Sequence, residues 1–159
     1  MRIRHAALLS VALLAGTACG EHEFQPTSDE ARFAEADSLY SAALFDTVSW
    51  ASDSARTGAG NLVYADHCRR CHGPLGRGDT PYAAENDLRV PSLVEPDWQF
   101  ADDPEGIRRL IFTGHPGGMR AWGIGRLTPR QIDAAAHYIL GQLRPEVLAD
   151  TTARIPAGL

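Results

Sequence analysis

The stretch Cys68-Arg69-Arg70-Cys71-His72 decides how this chain is interpreted. Two cysteines three positions apart lie about one helical turn from each other, so both thiols can reach the two vinyl groups of one haem. The histidine that follows is then placed to ligate the iron through an imidazole nitrogen. The motif therefore predicts one haem c, attached covalently through Cys68 and Cys71, with His72 as an axial ligand.

Two other uses of a cysteine pair remain open at this point. A structural zinc site normally takes four Cys or His ligands. The chain offers no second pair of cysteines, so His115 and His137 would have to complete the set. A thioredoxin-like redox motif would follow a strand in a βαβ pattern, and the sequence shows no such pattern.

Met119 is the candidate for the sixth iron ligand. It is the only methionine left once Met1 is removed with a leader, and it lies in the loop Gly114–Trp122. A thioether carried by such a loop can reach the haem face opposite the histidine, and Met/His ligation raises the reduction potential. His115 in the same loop is the alternative ligand. A vacant sixth position would instead indicate a haem enzyme or a gas sensor.

Helical signals surround the motif on both sides. Asp103 before Pro104, and Thr128 before Pro129, combine an N-cap residue with a proline at the first helical position. No run alternates with the period of two that a sheet requires. The predicted elements are a helix at 58–69, a glycine- and proline-rich loop at 73–91, a helix at 103–113, a loop at 114–127 and a last helix from Thr128. We therefore expect an all-α fold of three to four short helices around the haem.

The first eighteen residues predict an export signal. Arg2 and Arg4 precede a short apolar run, and small residues end at Ala18. Cys19 follows, and the junction resembles the lipobox of bacterial lipoproteins. Lipidation of Cys19 would anchor an exported chain to a membrane on the periplasmic side, although ordinary cleavage after Ala18 remains an alternative.

Residues 19–57 are expected to form a spacer, and residues 145–159 a loose tail. Thr27 and Glu30 have the spacing of a capping box, and apolar residues then recur at helical intervals, which predicts a helix over about 28–45. The stretch 46–57 is rich in Ser, Asp and Thr and is expected to be a loop. We expect the helix to pack on the domain at 58–144 rather than to dock on a partner.

Composition narrows the classes of function. The 159 residues suit one domain with appendages, and 44% hydrophobic and 22% charged residues are typical of globular proteins. All 15 basic residues are arginine, and the net charge is −5. Removal of the leader leaves 13 basic against 20 acidic residues, a charge of −7. This sign argues against nucleic-acid binding and allows steering toward a basic protein partner.

Residues 58–144 together resemble the class I cytochrome c family in its small bacterial form. Gly60 and Tyr64 are similar to the glycine and aromatic residue that let the first helix cross the last, and Tyr138 is similar to the aromatic residue that meets them. The resemblance is also carried by Gly73, Gly76 and Gly78 after the histidine, by Pro91-Ser92-Leu93, and by Ile111, Gly114, Met119 and Trp122.

The resemblance implies roles for particular residues. In the family, a proline carbonyl, here that of Pro91, accepts the Nδ1 hydrogen of the haem histidine. Apolar side chains are expected to line the pocket: Leu93, Trp98, Ile107, Leu110, Ile111, Leu127 and Tyr138. The candidates to pair with haem propionates are Arg77, Arg89, Arg120 and Arg126. The sequence departs from the family at Arg69 and Arg70, between the cysteines, and at Arg120, where the family often has proline.

Electron transfer is the function that the resemblance implies. With both axial positions filled, no site is left for a small-molecule substrate, so the chain is not expected to be an enzyme. Its partners would be redox proteins such as an oxidase, a reductase or a dehydrogenase. The alternative is a haem-bearing subunit fixed in a larger respiratory or photosynthetic oxidoreductase complex.

Overall fold

The structure is a computed structural model that describes residues 28–153. The predicted export signal at 1–18, the predicted lipidation of Cys19 and the predicted cap residue Thr27 lie outside the described residues. The described elements are α1 (Asp29–Leu39), a 3₁₀ turn (Ala42–Phe45), α2 (Asp53–Val63), a π-helical turn (Tyr64–Cys68), α3 (Arg69–His72), α4 (Pro81–Glu85), α5 (Pro104–Thr113), α6 (Pro129–Tyr138), a second π-helical turn (Ile139–Leu143) and α7 (Arg144–Ala153). Residues 28–153 contain no strand, which confirms the predicted all-α class.

Capping residues explain where the helices begin. The Asp103 side chain accepts a hydrogen bond from the Gly106 amide at 2.8 Å, and Thr128 forms a capping box with Gln131. The predicted starts of α5 and α6 are therefore confirmed. The predicted start of the first domain helix at 58 is wrong, because Ser52 caps α2 and its hydroxyl accepts from the Ala55 amide at 3.1 Å.

Helices α2 and α6 cross in close contact at Gly60. A Cβ atom at this position would lie 2.1 Å from the Ala134 carbonyl oxygen and 2.6 Å from Cβ of Tyr138. The rings of Tyr64 and Tyr138 meet beside the crossing, with centroids 5.5 Å apart. Only glycine allows the two backbones to approach this closely.

The core consists of two apolar clusters. One lies under α5 and α6 and includes Ile107, Ile111 and Ile132; the other includes Leu93 and Leu143. Trp98 packs against both. Of the residues expected to line the pocket, Leu93, Ile107, Ile111, Leu127 and Tyr138 are buried in these clusters, and Trp98 is half-buried beside them. Leu110 is half-buried and belongs to neither cluster.

The segment Ser28–Trp50, called the strap below, packs on the domain as expected. The helix predicted over 28–45 ends early, because Tyr40 adopts an extended conformation after α1 and a 3₁₀ turn follows. Ala36 of α1 is completely buried and Phe45 is 7% exposed. The Trp50 indole donates to the Asp133 carboxylate at 2.9 Å. The strap is thus fixed to the domain at its middle, through Ala36 and Phe45, and at its C-terminal end, through Trp50.

The chain beyond 145, predicted to be loose, is helical as far as Ala153. Proline normally disrupts a helix because it has no amide hydrogen and its ring clashes with the preceding turn. Pro145 is the second residue after the π-helical turn, at whose end the Arg144 amide bonds to the Ile139 carbonyl and the regular ladder is shifted. The helix therefore continues, and it buries Arg144 and Val147. Among residues 28–153, no helix has the length and apolar character needed to cross a membrane.

Candidate haem-binding site

The two cysteines and His72 lie at the end of one helical run. Cys68 is the last residue of the first π-helical turn, and Cys71 and His72 belong to α3. Both thiols are free and half-buried. Gly73 ends the run with a φ of 78°, and its amide donates to the Arg69 carbonyl at 2.8 Å. A residue with a Cβ would be strained there, so the glycine places the chain's sharp exit directly after the histidine.

Backbone hydrogen bonds fold the following loop back toward the histidine. The Gly78 amide donates to the His72 carbonyl at 2.9 Å, and the Leu93 amide donates to the Gly76 carbonyl at 2.7 Å. The Tyr64 hydroxyl donates to the Gly73 carbonyl at 2.7 Å in a buried contact. These bonds bring the stretch that begins at Pro91 beside the end of α3.

The environment of His72 suits a metal ligand. Burial lowers the pKa of its imidazole, and the backbone carbonyl of Pro91 opposes this shift. The ring therefore stays neutral at neutral pH, which is the form that coordinates a metal. Its Nδ1 atom is buried and makes no hydrogen bond of normal geometry. The structure thus places the Pro91 carbonyl close to the histidine, as the resemblance implies, without a well-formed hydrogen bond.

Cys68 does not have the electrostatics of a reactive thiol. Burial, with a smaller contribution from Cys71, raises the pKa of Cys68 to about 12. Reactive thiols of disulfide oxidoreductases have lowered pKa values, because the thiolate is the nucleophile. Within the described part of the chain, no three His, Cys, Asp or Glu side chains are grouped so that they could hold a metal ion. The zinc alternative therefore has no ligand set there.

The loop that carries Met119 is a closed turn between α5 and α6. The His115 amide donates to the Met119 carbonyl at 2.7 Å, and the Gly118 amide donates to the His115 carbonyl at 3.2 Å. Gly114 opens the turn with a φ of 76°, and a Cβ there would lie 2.6 Å from the Ala121 nitrogen. Met119 itself is half-buried against the cluster under α5 and α6.

The methionine loop lies against the helical run that carries the cysteines. The ring of Trp122, three residues after Met119, meets the His67 ring edge-on, with centroids 5.2 Å apart. His67 is the residue before Cys68. The two motifs that the sequence singled out are therefore neighbours in the fold, although Met119 lies 47 positions after the histidine of the motif in the sequence.

His115 is a weaker candidate ligand than Met119. Its side chain is exposed, and its Nδ1 atom already accepts a hydrogen bond from the Gly117 amide at 2.9 Å. Met119 presents a thioether that packs on the apolar core. The geometry of the loop therefore favours the thioether.

The arginines near the site occupy different environments. Arg120 stacks over Trp122, with 5.4 Å from its guanidinium carbon to the ring centroid, and it lines a cleft together with Arg126. Arg77 and Arg89 are exposed. Between the cysteines, Arg69 is exposed and Arg70 stacks over the Tyr82 ring at 3.8 Å. Of the four candidates for pairing with propionates, the structure brings only Arg120 and Arg126 to one cleft.

The sequence analysis missed Arg144, which supports the Pro91 side of the site. This residue is 5% exposed, and its guanidinium donates to the carbonyls of Leu93 and Glu95, the latter at 3.1 Å. It also stacks over Trp98 at 5.1 Å. A basic residue directly after the apolar Leu143, in phase with the buried face of the last helix, was the signal in the sequence.

The sequence analysis also missed Asp133, a residue of α6 that joins several other elements to this helix. Its carboxylate accepts from Arg56 Nε at 2.8 Å, from Trp50 at 2.9 Å and from Arg108 at 3.2 Å, and the residue is 3% exposed. An acidic residue inside the apolar run Ile132–Ala136 could have indicated a buried partner, since charged residues are almost never buried unless they are paired.

The donor set fits a covalently attached haem. Two thiols one helical turn apart, a buried imidazole and a half-buried thioether on an adjoining loop are the groups that a haem c with His and Met ligands uses.

Comparisons with known proteins agree with this fit. The family model described as cytochrome c oxidase, cbb3-type, subunit III matches residues 55–139. The cbb3-type cytochrome c oxidase subunit CcoP of Rhodobacter capsulatus is 33% identical over 94 residues, which covers 55% of this chain and 30% of that protein. Subunit FixP of Bradyrhizobium diazoefficiens is 31% identical over 80 residues, 50% of this chain and 25% of that protein.

A longer match exists to subunit CcoP of Cereibacter sphaeroides, which is 27% identical over 128 residues, 72% of this chain and 42% of that protein. The chain thus spans between a quarter and a half of the length of these curated relatives. No solved structure matches it.

Proposed function

The chain belongs to the family of subunit III of cbb3-type cytochrome c oxidases, and we propose from this premise that it is a haem-bearing electron-transfer component of a respiratory complex. It carries one haem c, held by Cys68 and Cys71. His72 and Met119 are its axial ligands. The chain itself passes single electrons and does not catalyse a reaction on a small molecule.

The contact between Trp122 and His67 is the observation that carries this proposal. It brings the loop of Met119 against the helical run that ends in the attachment motif. A cysteine pair alone is compatible with zinc binding or thiol exchange. A cysteine pair, a histidine and a half-buried methionine on adjoining elements point to haem with two protein ligands.

Each part of the chain has a defined task in this function. The thiols of Cys68 and Cys71 would hold the haem in place, and the imidazole of His72 and the thioether of Met119 would bind its iron. A haem bound here supplies a one-electron couple of its iron. The two apolar clusters exclude water from the site, and the backbone bonds of the loop hold the Pro91 carbonyl beside the buried imidazole. A haem held by both His72 and Met119 would leave no position on its iron for a substrate, so the site suits electron transfer rather than catalysis.

The names of the relatives favour a subunit over a free carrier. The sequence alone suggested first a shuttle between redox partners, with a subunit as the alternative. The matched relatives are named as subunits of cbb3-type oxidases, which supports the alternative. Affinity purification of the tagged chain from its native membranes, after mild solubilisation, tests this point. Oxidase subunits that stay bound in stoichiometric amounts support the subunit, and a chain that elutes alone supports the carrier.

Export and anchoring complete the proposal. A haem-bearing domain on the periplasmic side, tethered through a lipid on Cys19, follows from the predicted leader. Replacement of Cys19 with serine should release the protein from the membrane fraction without loss of haem. Retention of the variant in the membrane would mean that a protein partner or another segment holds it.

A visible spectrum of protein made in a host that matures c-type cytochromes tests the haem site. We expect sharp low-spin bands on reduction, one haem by mass, and a far-red sulfur-to-iron band on oxidation. Met119→Ala should remove the far-red band, whereas the matched control His115→Ala should leave it unchanged. The reverse result would make His115 the ligand, and a high-spin parent would indicate an open iron. Protein without haem, whose Cys68 and Cys71 react with thiol reagents, would refute the proposal.

A further inference from the structure

We infer that the strap braces the loop that carries Met119 and that Tyr40 is the residue through which it acts. The inference rests on the proposed function, because Met119 is taken as an iron ligand. The family match begins at residue 55, so the match gives the strap no role. Tyr40 is a positioning residue: it touches neither Met119 nor the cysteines in any contact described above, and it acts through Phe112.

A continuous chain of contacts leads from Tyr40 to the methionine loop. The Tyr40 ring meets the Phe112 ring edge-on, with centroids 5.6 Å apart and planes at 69°. The Phe112 ring in turn covers Gly123, where a Cβ atom would lie 2.2 Å from Cδ2 of the ring. Gly123 closes the methionine loop on α5, since its amide donates to the Phe112 carbonyl at 3.0 Å. A shift of the Phe112 ring therefore displaces the base of the loop.

The adjoining bond of the loop reaches the same helix. The Trp122 amide donates to the Ile111 carbonyl at 3.2 Å. Trp122 is also the residue that contacts His67. The base of the loop is therefore fixed by two consecutive amides on the last turn of α5, directly under the ring that Tyr40 holds.

Buried side chains, rather than ion pairing, hold the strap on α5, and the guanidinium groups of Arg108 and Arg109 stack over the Phe45 and Tyr40 rings. Ala36 is completely buried one turn before Tyr40, and the rings of Tyr40 and Phe45 lie 6.2 Å apart. The ion pair between Arg109 and Asp37 is 2.8 Å long, but both side chains are 58% exposed. Exposed pairs of this kind contribute little to stability. The grip of the strap therefore depends on its buried side chains.

The tip of the loop is not braced in this way. The first turn of α1 faces the tip across a cleft of about 300 Å³. Asp29, Arg32 and Phe33 line one side, and Pro116, Gly118 and Arg120 line the other. Because a cleft separates α1 from the tip, the contact of Tyr40 with Phe112 is the place where the strap can restrict the loop.

The hydroxyl of Tyr40 provides a matched pair of variants. It is buried and has no hydrogen-bond partner among the described residues. Tyr40→Phe keeps the edge-on ring contact and removes only this unsatisfied group. Tyr40→Leu removes the aromatic contact while keeping an apolar side chain. If the ring positions the loop, Tyr40→Phe retains the parental methionine ligation and loop exchange rates, and Tyr40→Leu does not.

The first measurement follows the far-red sulfur-to-iron band of the oxidised, haem-loaded full chain during alkaline titration. An aromatic pair of this geometry stabilises a packed arrangement enough to change its equilibrium constant roughly three- to tenfold. We expect Tyr40→Leu to reduce the equilibrium constant for methionine ligation about three- to tenfold, which moves the midpoint of band loss to lower pH. Tyr40→Phe should match the parent. The midpoint of global unfolding in urea, followed by circular dichroism, should change less than the midpoint of band loss.

The second measurement is independent of iron ligation. Hydrogen exchange of the amides of Trp122 and Gly123 should become faster in Tyr40→Leu and stay at the parental rate in Tyr40→Phe. Ala34→Glu, an exposed position of α1, is a control for charge on the strap and should change neither readout. Ala36→Glu, at the buried position, should reproduce the effect of Tyr40→Leu by lifting the helix.

The outcomes separate the inference from the proposed function. A parent that lacks a far-red band sensitive to Met119→Ala refutes the ligand assignment, and the exchange rates then decide on the brace. A normal band that responds equally to Tyr40→Leu and Tyr40→Phe overturns the inference and leaves the ligand assignment intact. Unchanged exchange at the loop amides in Tyr40→Leu also overturns it. If Tyr40→Leu shifted the midpoint of band loss and the midpoint of urea unfolding to the same extent, the strap would stabilise the whole fold and would not act on the loop specifically.

Discussion

Replacement of Gly60 with alanine tests the helix crossing on which the site is built. A Cβ atom at Gly60 lies 2.1 Å from the Ala134 carbonyl oxygen and 2.6 Å from Cβ of Tyr138, whereas unbonded carbon atoms pack at about 3.5–4.0 Å. The nearest obstacle is a backbone atom. No change of rotamer can relieve this contact, so α2 has to move away from α6.

The size of the effect follows from three contributions. Overpacking of a core contact costs about 1–3 kcal/mol. A displaced α2 also loosens the ring pair of Tyr64 and Tyr138, worth about 0.5–1.5 kcal/mol. The better helix propensity of alanine returns about 1 kcal/mol. We therefore expect Gly60→Ala to lower the free energy of unfolding by about 2 kcal/mol.

Gly58→Ala is the matched control, because Gly58 lies in the same helix and a Cβ there meets nothing within 4 Å. This variant should raise the free energy of unfolding by about 0.5–1 kcal/mol. Urea unfolding of both haem-loaded variants, followed by circular dichroism, measures the difference. Equal shifts in the same direction would mean that the two helices do not meet at Gly60, and the packing argument would fail.

Two further predictions concern buried charges. Burial alone would raise the pKa of Asp133, but hydrogen bonds from Arg56 and Trp50 hold it below its usual range. A lowered pKa stabilises the folded state above the unfolded value of about 3.9 and loses this effect as the pH falls through the folded pKa. Asp133→Asn should therefore cost about 3 kcal/mol at pH 7. The deficit should shrink in urea unfolding near pH 3, and a deficit of constant size would contradict the pairing. Arg144→Met should cost about 2 kcal/mol, because it leaves two loop carbonyls without their charged donor. Arg144→Lys should recover part of this loss in the same assay, and a parental value for Arg144→Met would show that the guanidinium does not hold the loop.

Local signals in the sequence predicted the parts of the fold that are locally determined. Asp103 and Thr128 are cap residues followed by proline, and both helices begin where these residues indicate. The start of α2 escaped prediction for a physical reason. Its first turns contain Asp53, Ser54 and Thr57 and have no apolar stripe. They are held by Arg56, whose partner Asp133 lies 77 positions away.

The same distinction applies to the site. The attachment motif and Met119 carry their chemistry in their residue types and could be proposed as site residues without a structure. The support behind them could not, because Arg144 and Asp133 have roles only through partners that the fold brings together. The helical continuation beyond 145 was missed because Pro145 normally ends a helix, and only the shifted hydrogen bonds of the π-helical turn allow it to continue.

One buried carboxylate links both halves of the site to the strap. Asp133 of α6 accepts from Trp50 at the end of the strap, from Arg56 of α2 and from Arg108 of α5. The run that begins with α2 ends at the attachment motif, and α5 leads directly into the methionine loop. The elements that present the two proposed iron ligands are therefore joined at Asp133, which contacts α2 far from the cysteines.

Loss of this junction in Asp133→Asn should loosen both the segment around His72 and the loop around Met119, whereas Tyr40→Leu should loosen the loop around Met119 alone. Comparing hydrogen exchange at the Gly78 amide, bonded to the His72 carbonyl, with exchange at the Gly123 amide in the two variants separates these effects. Faster exchange at both amides in Tyr40→Leu would mean that the strap stabilises the whole fold and not one loop.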